Sequence, residues 1–186
     1  MVLGLIILLV IVALGVMLIG TYNRLVGLRQ RANQAFADID VQLQQRHDLI
    51  PNLVETVKGY ATHEKGTLEA VTAARAAATG AGTVEQKVQA ENALSGALRQ
   101  LLAVAEAYPD LKANQNFLRL QDELADIENK LAAARRFFNS AVAEFNAAIQ
   151  QFPAALIAGA AGFKERSFFD VGADRAAVGA APEVKF

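Results

Sequence analysis

Residues 45–54 read Gln45-Arg46-His47-Asp48-Leu49-Ile50-Pro51-Asn52-Leu53-Val54 (QRHDLIPNLV), a proline set inside an otherwise helical apolar pattern. Proline lacks a backbone N–H and clashes with the preceding turn, costing about 3 kcal/mol or more in a helix interior, yet it is tolerated in a first turn. Asp48, three residues earlier, is placed to cap the orphan amides of such a start. The simplest reading is a corner, where one helix ends and a capped one begins. The apolar stripe keeps its phase across Pro51, so a kinked continuous helix fits the same residues. Either way Arg46, His47, Asp48, Pro51 and Asn52 form a candidate helix corner or partner contact.

Upstream of this stretch, Tyr22, Leu25, Ala32, Phe36, Ile39 and Leu43 recur at helical spacing, with Arg29 the polar exception. Before them stands MVLGLIILLVIVALGVMLIG, residues 1–20, which carries no ionisable side chain. Twenty residues at about 1.5 Å each cover a hydrocarbon core of roughly 30 Å. A cleaved signal would show a basic n-region and a small-x-small site, whereas this run starts at Met1 and ends in Thr21-Tyr22-Asn23-Arg24. A retained transmembrane anchor is expected over residues 1–21. Arg24, Arg29 and Arg31 follow without an intervening acid, which predicts the N-terminus outside and the remainder in the cytoplasm.

Downstream, Ile50, Leu53, Val54, Val57, Tyr60, Ala61, Leu68, Val71 and Ala78 continue the stripe until Gly80 and Gly82 break it. Thr83 and Gln86 make a capping box for a third helix reaching about Glu106. The fourth runs from Pro109 to Phe152, about 65 Å, with a coiled-coil-like seam: Phe117, Leu120, Leu124, Ile127, Leu131, Ala134, Phe138, Ala141, Phe145, Ala148 and Phe152, backed by Val142 and Ile149. A seam that long needs partners throughout, so the expected fold is all-α: a transmembrane helix followed by an antiparallel four-helix bundle with long helices. After Phe152, PAALIAGAAGFKERSFF is apolar but too short to span. It reads as a strap packed on the bundle or, more sharply, as an oligomer or membrane contact through Phe152, Leu156, Ile157, Phe163, Phe168 and Phe169. The expected bundle domain is thus 22–169, with a disordered tail over 170–186.

The chain's formal net charge of −1 leaves no basic field for nucleic acid, and zero cysteines exclude disulfides and thiolate chemistry. His47 and His63 are the only histidines, and neither has a glutamate three positions before it, against a di-iron bundle. His63-Glu64-Lys65-Gly66-Thr67 has Thr67 where a zincin needs its second histidine. Asp122, Glu123, Asp126 and Glu128 are answered by Lys130, Arg135 and Arg136, a polar helix face. No catalytic constellation, metal site or cofactor is implied.

The blocks YNRLVGLRQRANQAFADIDVQL, QRHDLIPNLVETVKGYATHEKGTLEAVTAAR, AYPDLKANQNFLRLQDELADIENKLAAARRFFNSAVAEFN and FPAALIAGAAGFKERSFF give the chain a close resemblance to the LemA family, from Tyr22 to Phe169. Phe36 stands where members often have tryptophan, and Ile127 where threonine is usual. The resemblance implies a bacterial inner-membrane protein with a short outer N-terminus, one span and a cytoplasmic four-helix bundle. It implies no catalytic residues: the family's biochemical activity is not established, and some relatives are associated with magnetosome membranes. The expected role is therefore that of a non-enzymatic, membrane-anchored scaffold that contacts lipid and forms a homo-oligomer. The alternatives are a sensor or adaptor for a membrane-protein partner and, behind it, a metal-assisted enzyme.

Overall fold

The computed structural model describes residues 1–61 and 63–169. The tail expected to be disordered, 170–186, lies outside the described residues. The described chain is all-α: α1 (Val2–Lys58), α2 (Lys65–Thr79), α3 (Val84–Glu106), α4 (Pro109–Lys112) and α5 (Gln115–Gln150), then a 3-10 turn at Ala154–Leu156.

Two expectations about helix ends change. α1 passes through Pro51 and ends at Lys58 instead, with α2 starting at Lys65. There Tyr60 N–H and Ala61 N–H both donate to Val57 O, at 3.0 and 2.9 Å, closing the last turn beside Gly59. Glycine is among the poorest helix formers, so the stop falls where propensity is lowest. The single helix expected from Pro109 to Phe152 is broken at Ala113 and Asn114. Asn114 Oδ1 accepts from Phe117 N–H at 3.0 Å, so an asparagine cap starts α5 afresh. Farther upstream, the capping box of α3 forms as expected: Thr83 Oγ1 accepts from Gln86 N–H and Gln86 Oε1 from Thr83 N–H, both at 3.2 Å.

The chain divides into two compact units, one of residues 1–39 with 133–168, the other of residues 40–132 with Phe169. The second unit packs the end of α1, α2, α3, the short α4 and the start of α5 around Leu49, Ile50, Leu53, Val57, Val71, Leu94, Leu98, Leu101, Leu111 and Phe117. Burying a leucine or phenylalanine side chain stabilises by about 1.5–3 kcal/mol, so this core is its main support. Within it Asp40 pairs with Lys87 and Arg46 with Glu91 and Ser95, which makes α3 parallel to that part of α1.

In the first unit α1 and α5 run antiparallel. Phe36 packs against Phe138 with the rings tilted and their centroids 5.4 Å apart, and Arg31 Nη1 pairs with Glu144 at 2.9 Å. Leu25 shares a core with Phe145, Ala148, Ile149, Ala154, Ala158 and Phe163. Ala35 is fully buried while Phe36 is half-buried, because a small residue lets the two helices approach where the larger ring stays at the edge. The α5 seam holds from Phe117 to Ile149. Phe152, its expected last member, lies beyond the helix end and is 76% exposed.

Candidate functional site

Pro51 removes the amide that would bond to the carbonyl four residues back, that of His47. Arg75, from α2, supplies the missing donor: its Nε–H reaches His47 O at 2.6 Å. A side chain from a neighbouring helix thus satisfies the carbonyl that proline orphans, and the helix continues. Asp48, expected to cap a new helix, instead accepts from Gln44 Nε2 at 2.8 Å on the exposed face of an uninterrupted one.

The same turn of α1 holds an ionic cluster inside the second unit. Arg46 and Glu91 are each 1% exposed and His47 is 5% exposed. Glu91 divides its carboxylate, accepting from Arg46 Nη1 at 2.9 Å on Oε2 and from His47 Nε2 at 2.6 Å on Oε1. A carboxylate only accepts, so His47 carries its proton on Nε2. Arg46 Nη2 donates to Ser95 Oγ at 2.9 Å and pairs with the partly exposed Glu128 at 2.7 Å. Arg46 Nε has no hydrogen-bond partner among the described residues. Removing one member of a buried ion pair strands the other charge, so the cluster locks α1, α3 and α5 in one register.

The expected corner residues therefore divide. Arg46 and His47 point inward to Glu91. Asp48 and Asn52 are exposed and line a shallow recess of about 430 Å³ with Gln45, Leu49, Glu123, Asp126, Ile127 and Lys130. Glu91 escaped the sequence reading, yet its signal is present: it fills the step between Val88 and Leu94 in the α3 stripe, as Arg46 does between Leu43 and Ile50. Charged residues of opposite sign in two apolar stripes mark a buried pair. Among the described residues no group of three His, Asp or Glu side chains is arranged to hold a metal.

An apolar groove of about 780 Å³ lies between the end of α1 and α2. Val54, Leu68, Ala73 and Ala76 line it, with Glu55, Lys58, Lys65 and Glu69 among its charged residues. A cleft of about 550 Å³ between α3 and α5 has Leu98, Leu102 and Leu124 on its walls and Arg46, Ser95 and Glu128 among its polar residues.

The strap splits the six residues expected to make an outward contact, five of them in the first unit and Phe169 in the second. Phe163 is buried, edge-on to Tyr22 at 5.6 Å and to Phe145 at 6.2 Å, with the Arg29 guanidinium 5.1 Å from its ring centre. Phe169 is 1% exposed. Both are internal packing residues, because a ring enclosed by its own chain has no free face. Ile157 is half-buried, whereas Phe152, Leu156 and Phe168 are exposed. Gly162, at φ 74°, makes the reversal that delivers Phe163 to its pocket. Farther on, the Arg166 backbone is clasped by Asn146, which donates to its carbonyl and accepts from its N–H, both at 2.9 Å. The Arg166 side chain donates to Asn33, and burial lowers its pKa from the ordinary arginine value, with Arg29 acting in the same direction.

The remaining feature is α1's beginning. An 18-residue window there has a mean hydropathy of 3.4 and none of it is buried. A bare apolar helix running unbroken into a packed helix pair defines a membrane-associated helical-bundle protein. The LemA family model matches residues 35–186, well over half of the sequence, and the chain belongs to the LemA family. Among curated relatives, it is 25% identical over 174 residues to magnetosome protein MamQ of Magnetospirillum gryphiswaldense, covering 80% of this chain and 64% of that protein. It is also 25% identical over 186 residues to magnetosome proteins MamQ 1 and MamQ 2 of Paramagnetospirillum magneticum, covering 86% of this chain and 68% of each.

Proposed function

We propose that this protein is a single-pass structural protein of the bacterial inner membrane, with its bundle in the cytoplasm, working by association with copies of itself. The observation that carries this reading is the continuity of α1: the exposed apolar stretch at its start and the part that packs against α5 belong to one helix. Arg24, Arg29 and Arg31 support the cytoplasmic side by the positive-inside rule. Among the described residues nothing lies within 4 Å of a Cβ added at Gly4, Gly15 or Gly20, which leaves close approach open to another helix in the bilayer. The polar chemistry of the core is spent on internal pairing, which favours association over bond-making. The magnetosome relatives' names fit a membrane setting.

A second reading, an adaptor for another membrane protein, draws on the apolar groove between α1 and α2, whose charged residues suit the flanks of an amphipathic helix. Crosslinking in native membranes followed by mass spectrometry separates the two. Self-links dominate for a scaffold, whereas one heterologous protein linked near Glu55, Lys58 or Lys65 would replace that reading with the adaptor.

A further inference from the structure

We propose that the turn at Phe152–Ile157 is a second, monotopic membrane contact, placing the Phe152 and Leu156 side chains in the lipid boundary beside the span. The inference rests on reading residues 1–20 as a membrane span.

Depth follows from helix register. As the α1 position falls from Phe36 to Arg31, its α5 partner moves from Phe138 to Glu144, and Leu25 shares its core with Phe145, Ala148 and Ile149. Continued to the last residue of α5, this register brings Gln150 level with Arg24, and Phe152 follows two residues on. The Tyr22–Phe163 ring contact fixes the far end of the strap at that level independently. A hydrocarbon core of about 30 Å inside a bilayer of about 40–45 Å leaves an interfacial layer of about 5–8 Å per side, which is about three to five helical residues. With the core filled by residues 1–20, Tyr22 and Leu25 fall within that layer. Whatever packs on them sits there too.

Burial then tells which side of the turn meets lipid. Ala154, Ala158 and Phe163 are buried with Leu25. Phe152 and Leu156 are 76% and 71% exposed. Arg24 and Lys164, both exposed and close in sequence to Tyr22 and Phe163, supply cations for an anionic headgroup layer, while the exposed Glu165 beside them accepts from Gln150. A lipid surface suits this patch better than a second copy, because register assigns it to membrane depth whatever the oligomeric state. Phe168 supplies the contrast. Two residues before it, Arg166 bonds to Asn33, eleven residues or about 16 Å beyond Tyr22 along α1. Its exposed ring therefore lies clear of the lipid.

The chain has no cysteine, so single-site labelling needs no background removal. Leu14→Cys, Phe152→Cys, Leu156→Cys and Phe168→Cys, each in the full chain, are labelled with an environment-sensitive fluorophore. They are then reconstituted into phosphatidylcholine–phosphatidylglycerol vesicles with or without doxyl-labelled lipid. Labels at positions 14, 152 and 156 are expected to be quenched at least twofold more strongly than the label at 168. Quenching at 14 but not at 152 or 156 overturns the proposal and leaves the span intact. Absence of quenching at 14 overturns the span reading and the proposal with it. Labels at 152 and 156 shielded from aqueous iodide yet unquenched by lipid would show a protein contact there, which also overturns it. Positions 152 and 156 are both exposed, so the two labelled variants report independently on one folded bundle.

Discussion

The clearest quantitative consequence concerns Arg75 and Pro51, which are not hydrogen-bonded to each other but share the His47 carbonyl. Replacing Arg75 by alanine removes a charged donor at 2.6 Å from a carbonyl that has no helical amide to fall back on. Hydrogen bonds involving charged groups contribute about 1.5–3 kcal/mol, so Arg75→Ala should lower stability by about 2 kcal/mol. In a Pro51→Ala background the new amide at position 51 supplies the ordinary helical donor. Arg75→Ala should then lose only packing, below about 1 kcal/mol. The double-mutant cycle therefore predicts a coupling of about 1 kcal/mol or more, beyond the roughly 0.5 kcal/mol within which independent sites add. The assay is urea unfolding of the full chain in detergent micelles, followed by far-UV circular dichroism. Additive effects of the two substitutions would refute the claim that Arg75 is what lets α1 pass through proline.

Further outcomes follow from the same geometry. Glu91→Gln keeps the shape but removes the carboxylate charge facing Arg46 and one of the two acceptor oxygens shared by Arg46 and His47; with Glu128 and Ser95 still holding Arg46 it should cost about 3 kcal/mol, the low end for a broken buried pair, and a urea midpoint unchanged from the parent would contradict this. Gly162→Ala forces a Cβ into the left-handed region and should lose about 1–2 kcal/mol, read as a lower melting temperature together with higher Tyr22 accessibility. Thr83→Ala removes one half of the capping box and should cost about 1 kcal/mol, with faster amide exchange at Gln86 as the local signature.

Periodicity made most of the helices legible because each buries one stripe, and the stripe is written at every turn. Thr83 and Gln86 were readable because their bonds are local. Pro51 leaves a corner and a continuous helix both open for the opposite reason: the donor that decides for the continuous helix is Arg75, twenty-four positions on, and no local pattern reports a donor that folding brings from a neighbouring helix. Asn114, three residues before Phe117, was a local cap signal masked by the stronger heptad seam around it. Glu91 and Arg46 were visible as charges in apolar stripes, but only the fold shows that they meet. The strap's apolar composition marked it for contact. Which of its aromatic residues turn inward depends on the reversal at Gly162 and on the ring of Tyr22.

Membrane anchoring requires that the apolar start of α1 remain in lipid as part of the mature chain. Alkaline carbonate extraction of native membranes, combined with N-terminal sequencing of the mature chain, tests this directly. The protein is expected in the membrane pellet, with residues 1–20 still present. A mature form beginning after residue 20 and recovered in the soluble fraction would contradict it.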